Sequence, residues 1–267
     1  MDEYLQHTKV AFNKAAINYD SNDSQNPILK WMRDIVHLIY FKYLTIGNNV
    51  LELNSGTGID AVFLANKGIN VFATDVSDNM ISILKEKVIN LKLEDKITAE
   101  RYPFSEINKI NNNNFDSVIS NFGGLNCINN FLNLNNDINN KLKQGGYFIA
   151  VVMNKFCPWE IFFYCLKFDF KNAFRRFKNE GIDVFIDGEK VKTFYYTPNR
   201  FGKFFCTNFK IIKTYSLGLL TPPPYLGGIY IKLRPLVKLL MKFDNLIKGI
   251  PLINLFGDHF IIIMKKK

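Results

Sequence analysis

The chain has 267 residues, of which 48% are apolar and 22% charged, a composition that fits a soluble globular protein with a sizeable core. No apolar stretch reaches the roughly 20 residues that a transmembrane helix needs, and Met1–Tyr4 lacks the basic start of a signal peptide. We therefore expect a cytoplasmic protein of one α/β domain with embellishments, or one domain plus a small cap.

Four cysteines without CxxC spacing, and three histidines, argue against structural zinc and a disulfide framework, so no metal is expected. The net charge is +10, and it is concentrated in one part of the chain. Residues 201–267 hold eleven Lys and Arg against two Asp, which leaves +9 there and a nearly neutral remainder. The excess positive charge therefore belongs to the C-terminal quarter.

The periodicity of apolar residues predicts a helix over 4–19, a polar break over 20–27 and a second helix to about 43. The predicted elements of the next part are strand 50–53, helix 59–67, strand 70–75, helix 78–91, strand 97–100, strand 115–120, helix 130–142 and strand 147–153. This alternation of strands and helices over residues 48–153 predicts a parallel sheet covered by helices on both faces.

The alternation stops after Asn154. The remaining predictions are an aromatic helical segment at 156–180, short strands and turns at 182–200, a strand within 206–217, a basic amphipathic helix at 232–248 and a final strand at 260–264. These boundaries divide the chain into N-terminal helices (1–47), a cofactor-binding core (48–153), an aromatic-rich cap (154–205) and a C-terminal part that completes the sheet (206–267).

The strongest signal is a loop, Glu52-Leu53-Asn54-Ser55-Gly56-Thr57-Gly58, between a strand and a helix, with Asp75 ending the following strand. Small residues let this backbone turn sharply beside a ligand, and an acid at the end of the next strand can accept both hydroxyls of a ribose. An acid at the start of the loop would repel a pyrophosphate but suits an ammonium group. This favours S-adenosylmethionine over a dinucleotide.

Residues 50–58 resemble the first motif of the class I S-adenosylmethionine-dependent methyltransferases, E/D-x-G-x-G-x-G, with Asn54 in place of the first glycine. Three more segments resemble family motifs in the family's order: Asp75, Phe115–Gly124 and Leu142–Gly146. Asn tolerates a left-handed backbone best among non-glycine residues, so we expect the turn to survive.

The resemblance implies a doubly wound, mostly parallel seven-stranded sheet of order 3-2-1-4-5-7-6, with N-terminal helices and a cap after strand 5. It also implies S-adenosylmethionine as the cofactor and a set of residues around it. The candidates for cofactor binding are Tyr19, Arg33, Glu52, Asn54, Ser55, Gly56, Gly58, Asp75, Val76, Glu100, Arg101, Asn121, Phe122 and Gly123. Tyr19 and Arg33 are candidates for the methionine carboxylate, and helix packing and a solvated charge are the alternatives for both.

Residues for the methyl acceptor are sought in and beside the cap. Asn126, Trp159 and Tyr196 are candidates for acceptor binding, and the density of Phe and Tyr favours an apolar or aromatic acceptor or, alternatively, a protein interface. Methyl transfer needs a base only when the acceptor must lose a proton. His259 and Tyr195 are the candidates for that base, with core packing as the alternative.

The basic helix at 232–248 has three interpretations: a docked helix with a solvated lysine face, a peripheral contact with an anionic membrane such as the inner face of the cell membrane, and a nucleic-acid contact. The first is preferred and the membrane surface is second. DNA is not expected, since the prolines typical of amino-methylating DNA enzymes are missing after the fourth strand.

These observations predict a methyltransferase that transfers a methyl group to a small hydrophobic, aromatic or lipid-like acceptor by in-line displacement. The alternatives are a non-catalytic protein that binds the same cofactor or a partner on the same fold, and an RNA or protein methyltransferase. The sequence leaves open the acceptor, its reactive atom and the oligomeric state.

Overall fold

A computed structural model describes residues 3–267. Met1 and Asp2 lie outside the described residues, and they begin the segment that is not expected to be a signal peptide. Seven strands form one sheet: β1 (Asn49–Leu53), β2 (Asn70–Asp75), β3 (Ile97–Arg101), β4 (Phe115–Ser120), β5 (Leu142–Met153), β8 (Phe209–Leu217) and β9 (His259–Lys266). A separate hairpin consists of β6 (Ile182–Ile186) and β7 (Glu189–Thr193).

The α-helices are α1 (Glu3–Ala15), α2 (Tyr19–Gln25), α3 (Pro27–Tyr40), α4 (Ile59–Ala65), α5 (Asp78–Asn90), α6 (Leu132–Lys141), α7 (Pro158–Leu166), α8 (Phe170–Ala173), α9 (Pro198–Phe205), α10 (Gly227–Lys232) and α11 (Arg234–Ile247). Short 3₁₀ helices lie at Ala16–Asn18, Phe104–Lys109, Gly124–Cys127, Arg175–Phe177, Pro224–Leu226 and Ile253–Leu255. Within residues 3–267, no helix combines the length and apolarity needed to cross a bilayer.

The strand order of the large sheet is β3-β2-β1-β4-β5-β9-β8. When only the strands of this sheet are counted, this is the predicted order 3-2-1-4-5-7-6, and the predicted fold class is confirmed. The first five strands are parallel, while β9 runs antiparallel to both β5 and β8. The chain order reverses between β1 and β4, and in such sheets ligands bind at the carboxyl ends of the strands beside that point.

The sheet is buried on both faces, as its continuous apolar strands predict. Alternate residues such as Val50 and Ile149 face α3, whereas Leu51 and Phe148 face the opposite layer, which contains α6 and α9. The second layer holds much of the Phe excess, in a cluster of Phe131, Phe201, Phe204, Phe205 and Phe209. Much of the aromatic content therefore belongs to the core.

The predicted polar break at 20–27 is wrong, because α2 continues the helical path through Gln25. Its polar sequence is held by a tertiary contact, since Asp23 is buried against the guanidinium of Arg33 at 2.6 Å. The actual break is Asn26, whose side chain accepts hydrogen bonds from the first amides of α3.

Two further predicted helices are interrupted. The aromatic segment 156–180 breaks where Phe168 adopts a left-handed backbone with φ of 57°, and a short α8 follows. The basic segment 232–248 breaks at Leu233, which has φ of −123° and ψ of 38°, and α11 then begins just before Pro235. A proline fits the first turn of a helix, but further inside it lacks the N–H that would bond to the carbonyl four residues earlier.

Gly58 supports the fold more directly than the sequence suggests. It has φ of +80°, and a Cβ there would lie 2.1 Å from Cδ1 of the fully buried Leu84. We expect Gly58→Ala to lower the free energy of unfolding by about 2–4 kcal/mol, from left-handed strain plus overpacking. Gly188→Ala is the control, since Gly188 has φ of +81° with no atom within 4 Å of the added Cβ.

For Gly188→Ala we expect only the backbone strain, about 1–2 kcal/mol. Urea unfolding of the two variants and the unchanged protein measures the difference. Equal losses in the two variants would contradict a steric role of the contact between Gly58 and Leu84.

Candidate functional site

The loop after β1 adopts the turn that the sequence predicts. Asn54 has φ of 48° and Gly56 φ of 56°, so the prediction of a left-handed backbone at Asn54 is confirmed. The Asn54 amide donates to the carbonyl of Asn121 at 2.6 Å and accepts from the Ser120 hydroxyl at 2.5 Å. A Cβ on Gly124 would lie 2.3 Å from Asn54 Cγ. The asparagine therefore joins the ends of β1 and β4, a contact that glycine could not make.

Asp75 lies at the end of β2 and faces the same loop. Its Oδ2 accepts a hydrogen bond from the Gly56 amide at 2.9 Å, and its Oδ1 accepts one from the Ser77 amide at 2.9 Å. Burial raises the pKa of this carboxyl, and the backbone amides of Ser77, Gly56 and Val76 oppose that effect. A carboxylate has about four acceptor positions, so the group can still accept a hydrogen bond from a ligand.

A cavity opens at this edge of the sheet. Its lining residues come from the N-terminal helices and from the ends of the first four strands: Thr8, Phe12, Tyr19, Asn54, Gly56, Asp75, Val76, Met80, Tyr102, Pro103, Phe104, Phe122, Gly124, Cys127 and Ile128. Among the predicted cofactor residues, this set includes Tyr19, Asn54, Gly56, Asp75, Val76 and Phe122. Most of the other lining groups are apolar.

The sheet order places these groups in a line along the edge. Tyr102 and Phe104 follow β3, Asp75 ends β2, Gly56 follows β1, and Phe122 follows β4. An elongated ligand in this cavity would therefore contact aromatic side chains at one end, the Asp75 carboxylate beside them, and an apolar wall at the other end.

The Tyr19 ring lies against Gly56 of the loop after β1. A Cβ built on Gly56 would lie 3.5 Å from the Tyr19 ring, an ordinary contact distance, so the positive φ of 56° and not the space favours glycine there. Burial raises the pKa of the Tyr19 phenol to about 12, which keeps it a neutral hydrogen-bond donor at physiological pH.

The end of β3 differs from the prediction. Glu100 and Arg101 do not line the cavity, and the Arg101 guanidinium lies 3.3 Å from the Asp78 carboxylate instead. The residues that line it are the next ones along the chain, Tyr102, Pro103 and Phe104. Strand β3 ends at Arg101, so the residues that follow it reach the carboxyl edge of the sheet. An exact prediction of where this strand ends would have identified them.

Arg33 lies in a buried network of charges beneath the cavity. Its guanidinium donates to Asp23 at 2.6 Å and to Asp60 at 2.6 Å. Asp60 also accepts from the Asn121 amide at 2.7 Å, and its Oδ1 lies 2.6 Å from His37 Nε2. Burial alone would raise the pKa of Asp60, but the Arg33 charge and His37 hold it well below its usual range. The alternative of a solvated charge for Arg33 is wrong, since this side chain is buried.

Glu52 is buried close to this network and does not line the cavity. Its Oε2 has no hydrogen-bond partner among the described residues. Burial raises the pKa of Glu52 well above its usual range, and the negative charge of Asp60 adds to the effect while Arg33 opposes it. The direction of this shift favours a protonated carboxyl, which differs from the ionised acid expected from the sequence.

Four other predicted cofactor residues lie outside the cavity lining, and one of them is Asn121, whose side-chain amide donates to Asp60. Ser55 donates its amide to the Thr74 carbonyl at 2.8 Å, and Gly58 packs on Leu84. Gly123, with φ of 90°, begins the turn after β4. These residues shape the loops, and their neighbours in the chain face the ligand space.

The three predicted acceptor residues have structural partners and do not line the cavity. Asn126 is fully buried and donates to the carbonyls of Met153 (3.2 Å) and Phe194 (2.6 Å). The Tyr196 hydroxyl donates to the Ile128 carbonyl at 2.5 Å, and the Trp159 indole donates to the Leu220 carbonyl. Sequence reasoning missed Phe12, Cys127 and Ile128, which do line the cavity.

The two candidate bases lie beside the end of β5. His259 Nδ1 lies 3.0 Å from Asp258 Oδ2, and Arg176 donates to the other oxygen of Asp258 at 2.7 Å. The His259 ring meets the edge of Phe122, with ring centroids 5.9 Å apart. Tyr195 packs against the Arg176 guanidinium at 4.8 Å. Neither residue lines the cavity, and His259 is the candidate that contacts a residue of its wall.

Within residues 3–267, no group of three or more His, Cys, Asp or Glu side chains is arranged to hold a metal ion.

Comparison with known proteins agrees with this geometry. Residues 50–146 match the model of a family described as a methyltransferase domain. A search of curated protein sequences finds no match to the chain.

Solved structures share the fold at low sequence identity. The DhpI–SAM–HEP complex is 12% identical, with a TM-score of 0.59, and the match covers 100% of this chain and 99% of that one. A geranyl diphosphate C-methyltransferase from Streptomyces coelicolor A3(2) is 10% identical, with a TM-score of 0.57, covering 88% and 78%. The [4+2]-cyclase SpnF is 14% identical, with a TM-score of 0.56, covering 88% and 80%.

The Asp60 network gives a prediction about stability. We expect Asp60→Asn to lower the free energy of unfolding near neutral pH by about 3–5 kcal/mol, since the buried Arg33 charge loses one of its two carboxylates. Asp34→Asn on the exposed side of α3 is the control, and we expect a change within about 0.5 kcal/mol.

The effect should depend on pH with a definite sign. A carboxyl whose folded pKa is lowered stabilises above its unfolded pKa, near 4, and loses this contribution as the pH falls towards its folded pKa. The difference between Asp60→Asn and the unchanged protein should therefore narrow in acid. Urea unfolding at a series of pH values measures it, and a constant difference across the series would refute the role of the ionised carboxylate.

Proposed function

Because the chain is a class I S-adenosylmethionine-dependent methyltransferase, with the family's domain in residues 50–146, we propose that it methylates a small hydrophobic acceptor. The observation that carries this proposal is the covered, mostly apolar cavity at the carboxyl edge of the sheet. The cofactor supplies a methyl group on a positively charged sulfur, which a nucleophilic atom of the acceptor can attack in line.

The polar groups of the cavity fit an adenosine with an amino-acid tail. Asp75 offers carboxylate lone pairs to the two ribose hydroxyls, as the sequence predicts. Tyr102 and Phe104 give flat apolar surfaces for the adenine at the neighbouring strand end. We assign the adenine contact to these two residues and no longer to Glu100 and Arg101.

The amino-acid tail would lie towards the loop after β1. Tyr19 offers a neutral phenol to its carboxylate, and Gly56 lines the cavity beside it. Arg33 acts from behind this site: its two carboxylate partners use both terminal nitrogens, and Phe122 lies 4.7 Å from the guanidinium. We therefore propose that Arg33 positions Phe122 and the loop after β4 and does not bind the tail directly.

The acceptor would lie against Phe12, Phe122, Cys127 and Ile128, which bound the cavity on the β4 side. These side chains offer few hydrogen bonds, so they favour an apolar surface on the acceptor. We propose these four residues as the acceptor wall in place of Asn126, Trp159 and Tyr196.

The cover over this wall limits the size of the acceptor. Helix α1 contributes Thr8 and Phe12 to the cavity, and the hairpin β6–β7 packs on α1, with Lys14 2.6 Å from Glu189. A folded protein surface or a nucleic-acid duplex would have to displace both elements. This favours a small molecule, or the slender end of a larger one. Since the S. coelicolor enzyme acts on geranyl diphosphate, the fold is compatible with an acceptor of that kind.

We propose His259 as the group that takes a proton from a hydroxyl or similar acceptor. Asp258 binds Nδ1, and Arg176 fixes Asp258, so the imidazole is held in one orientation. Its Nε2 forms no hydrogen bond within the described residues, and its ring touches Phe122 of the cavity wall. This arrangement suits a base that is held by a carboxylate.

The experiment that tests the function incubates the protein with methyl-labelled S-adenosylmethionine and a cell extract and follows the label by mass spectrometry. We expect one apolar small molecule to gain the label. Asp75→Asn should weaken cofactor binding about 10- to 100-fold, because a charged acceptor of two hydroxyl hydrogen bonds is lost, and should abolish labelling at limiting cofactor. Calorimetry of S-adenosylhomocysteine measures the affinity.

Asp78→Asn is the matched control, since Asp78 is an exposed acid at the same sheet edge that does not line the cavity. It should bind and label normally. Tight binding without labelling of any molecule would instead favour a non-catalytic cofactor-binding protein, and label in protein or RNA would refute the small-molecule acceptor.

His259→Gln tests the proposed base. We expect kcat to fall about 100-fold, within the usual range for a general base, and the acid limb of the pH–rate profile to disappear, while the KM for S-adenosylmethionine stays unchanged. The measurement uses the acceptor found by labelling. His7→Gln, outside the cavity lining, is the control variant. A lower kcat with an unaltered pH profile would show that His259 has a packing role alone.

A further inference from the structure

Helix α11 carries three parallel stripes of side chains. Val237, Met241 and Asp244 are buried against the body of the protein. A second stripe, at the helical spacing 3-4-3, consists of Leu236, Leu239, Phe243 and Leu246, which are 49%, 49%, 47% and 76% exposed. The third is polar and contains Lys238, Lys242 and Asn245.

The helix is docked with Lys238 and Lys242 exposed, as the preferred interpretation of the sequence expects, but the leucine stripe is not the face that it buries. The structure buries the neighbouring stripe and leaves the apolar stripe open. The burial is fixed by Asp244, whose carboxylate accepts hydrogen bonds from the amides of Leu220 (2.9 Å) and Thr221 (2.8 Å). A rotation of α11 that buried the leucines would break both hydrogen bonds and leave the Asp244 carboxylate without these donors.

Further exposed apolar side chains flank the helix along the chain. Ile231 and Leu233 precede it at 81% and 49% exposed, and Ile250 and Leu252 follow it at 44% and 75%. Scattered exposed apolar side chains are normal, but a continuous exposed series along one helix marks an interaction surface. We call residues 231–252 the C-terminal surface.

The charge of this surface indicates what covers it. Residues 232–248 contain Lys232, Arg234, Lys238, Lys242 and Lys248, and the single acid among them is the buried Asp244. Because the basic stripe lies directly beside the apolar one, a partner must offer negative charge next to an apolar interior. A bilayer with anionic headgroups has this chemistry.

We infer that the C-terminal surface lies on an anionic bilayer, with the leucine stripe in the headgroup region and the lysines on the lipid phosphates. A second copy of the chain is disfavoured, since it would place two basic stripes against each other. Nucleic acid would match the lysines but leave the leucine stripe in water. Binding to the bilayer does not require the proposed function, although it would bring the enzyme to apolar acceptors dissolved in lipid.

The cap contacts the segments on either side of the C-terminal surface. The Phe156 and Phe256 rings meet with centroids 5.9 Å apart, and the Tyr225 hydroxyl donates to Glu160 of α7 at 2.7 Å. The cap has exposed apolar residues of its own: Phe162, Leu166, Phe168, Phe170 and Phe174.

The test is co-sedimentation of the full chain with phosphatidylcholine vesicles, with and without phosphatidylglycerol. We expect binding that needs the anionic lipid and weakens with salt. Leu239→Ser/Phe243→Ser should weaken binding about tenfold or more, through lost apolar burial. Lys238→Glu/Lys242→Glu should weaken it about 20-fold or more, from roughly fivefold per lysine.

Matched controls carry the same changes at exposed sites on other elements. Ile89→Ser/Leu132→Ser removes two exposed apolar side chains, and Lys67→Glu/Lys85→Glu changes the net charge equally. Both should bind vesicles like the unchanged protein, and circular dichroism should show that every variant is folded. Equal loss in the controls, or binding that ignores phosphatidylglycerol, would overturn the proposal.

The competing occupants give different outcomes. Sedimentation velocity without lipid would reveal a dimer that Leu239→Ser/Phe243→Ser dissociates, and such a dimer together with no vesicle binding would overturn the proposal in favour of self-association. S-adenosylhomocysteine affinity should be unchanged in both C-terminal variants. Failure of vesicle binding would therefore leave the proposed methyl transfer untouched, and loss of methyl transfer would leave vesicle binding untouched.

Discussion

The buried carboxylate of Asp60 is the contact on which the site depends. It binds Arg33 of α3 and Asn121 at the end of β4. Asp60 lies in α4, so this helix links α3 to the carboxyl edge of the sheet. Two buried acids around one guanidinium would be unfavourable if any member were missing, because each charge is desolvated. Helices α2 and α3, which carry Asp23 and Arg33, are consequently held against the end of β4.

The same edge of the sheet separates polar from apolar recognition. The ends of β2 and β1 supply Asp75 and the backbone of Gly56, while the β4 side supplies Phe122 and Ile128. A parallel sheet gathers these segments because its strands all end on one side. The antiparallel β9 begins on that side, so its first residue, His259, contacts Phe122 of the apolar wall.

Prediction from sequence succeeded where a signal is local or periodic. The alternation of strands and helices gave the fold class, and the tolerance of asparagine for positive φ correctly predicted the turn at Asn54. It failed where a distant contact overrides local preference. The polar segment 20–25 is helical because Asp23 meets Arg33, and Asn126 has backbone carbonyls as partners in place of a ligand.

The sequence by itself determined the sheet, the glycine loop and the acid at Asp75, since each follows from spacing along the chain. The tertiary structure alone decided which face of α11 is buried and which residues line the cavity. Helical periodicity predicts an apolar stripe but not the surface that it packs against. On α11 the hydrogen bonds of Asp244 bury the neighbouring stripe instead. A side chain's role near a ligand depends on what has already bound its polar atoms, and those partners lie far away in the chain.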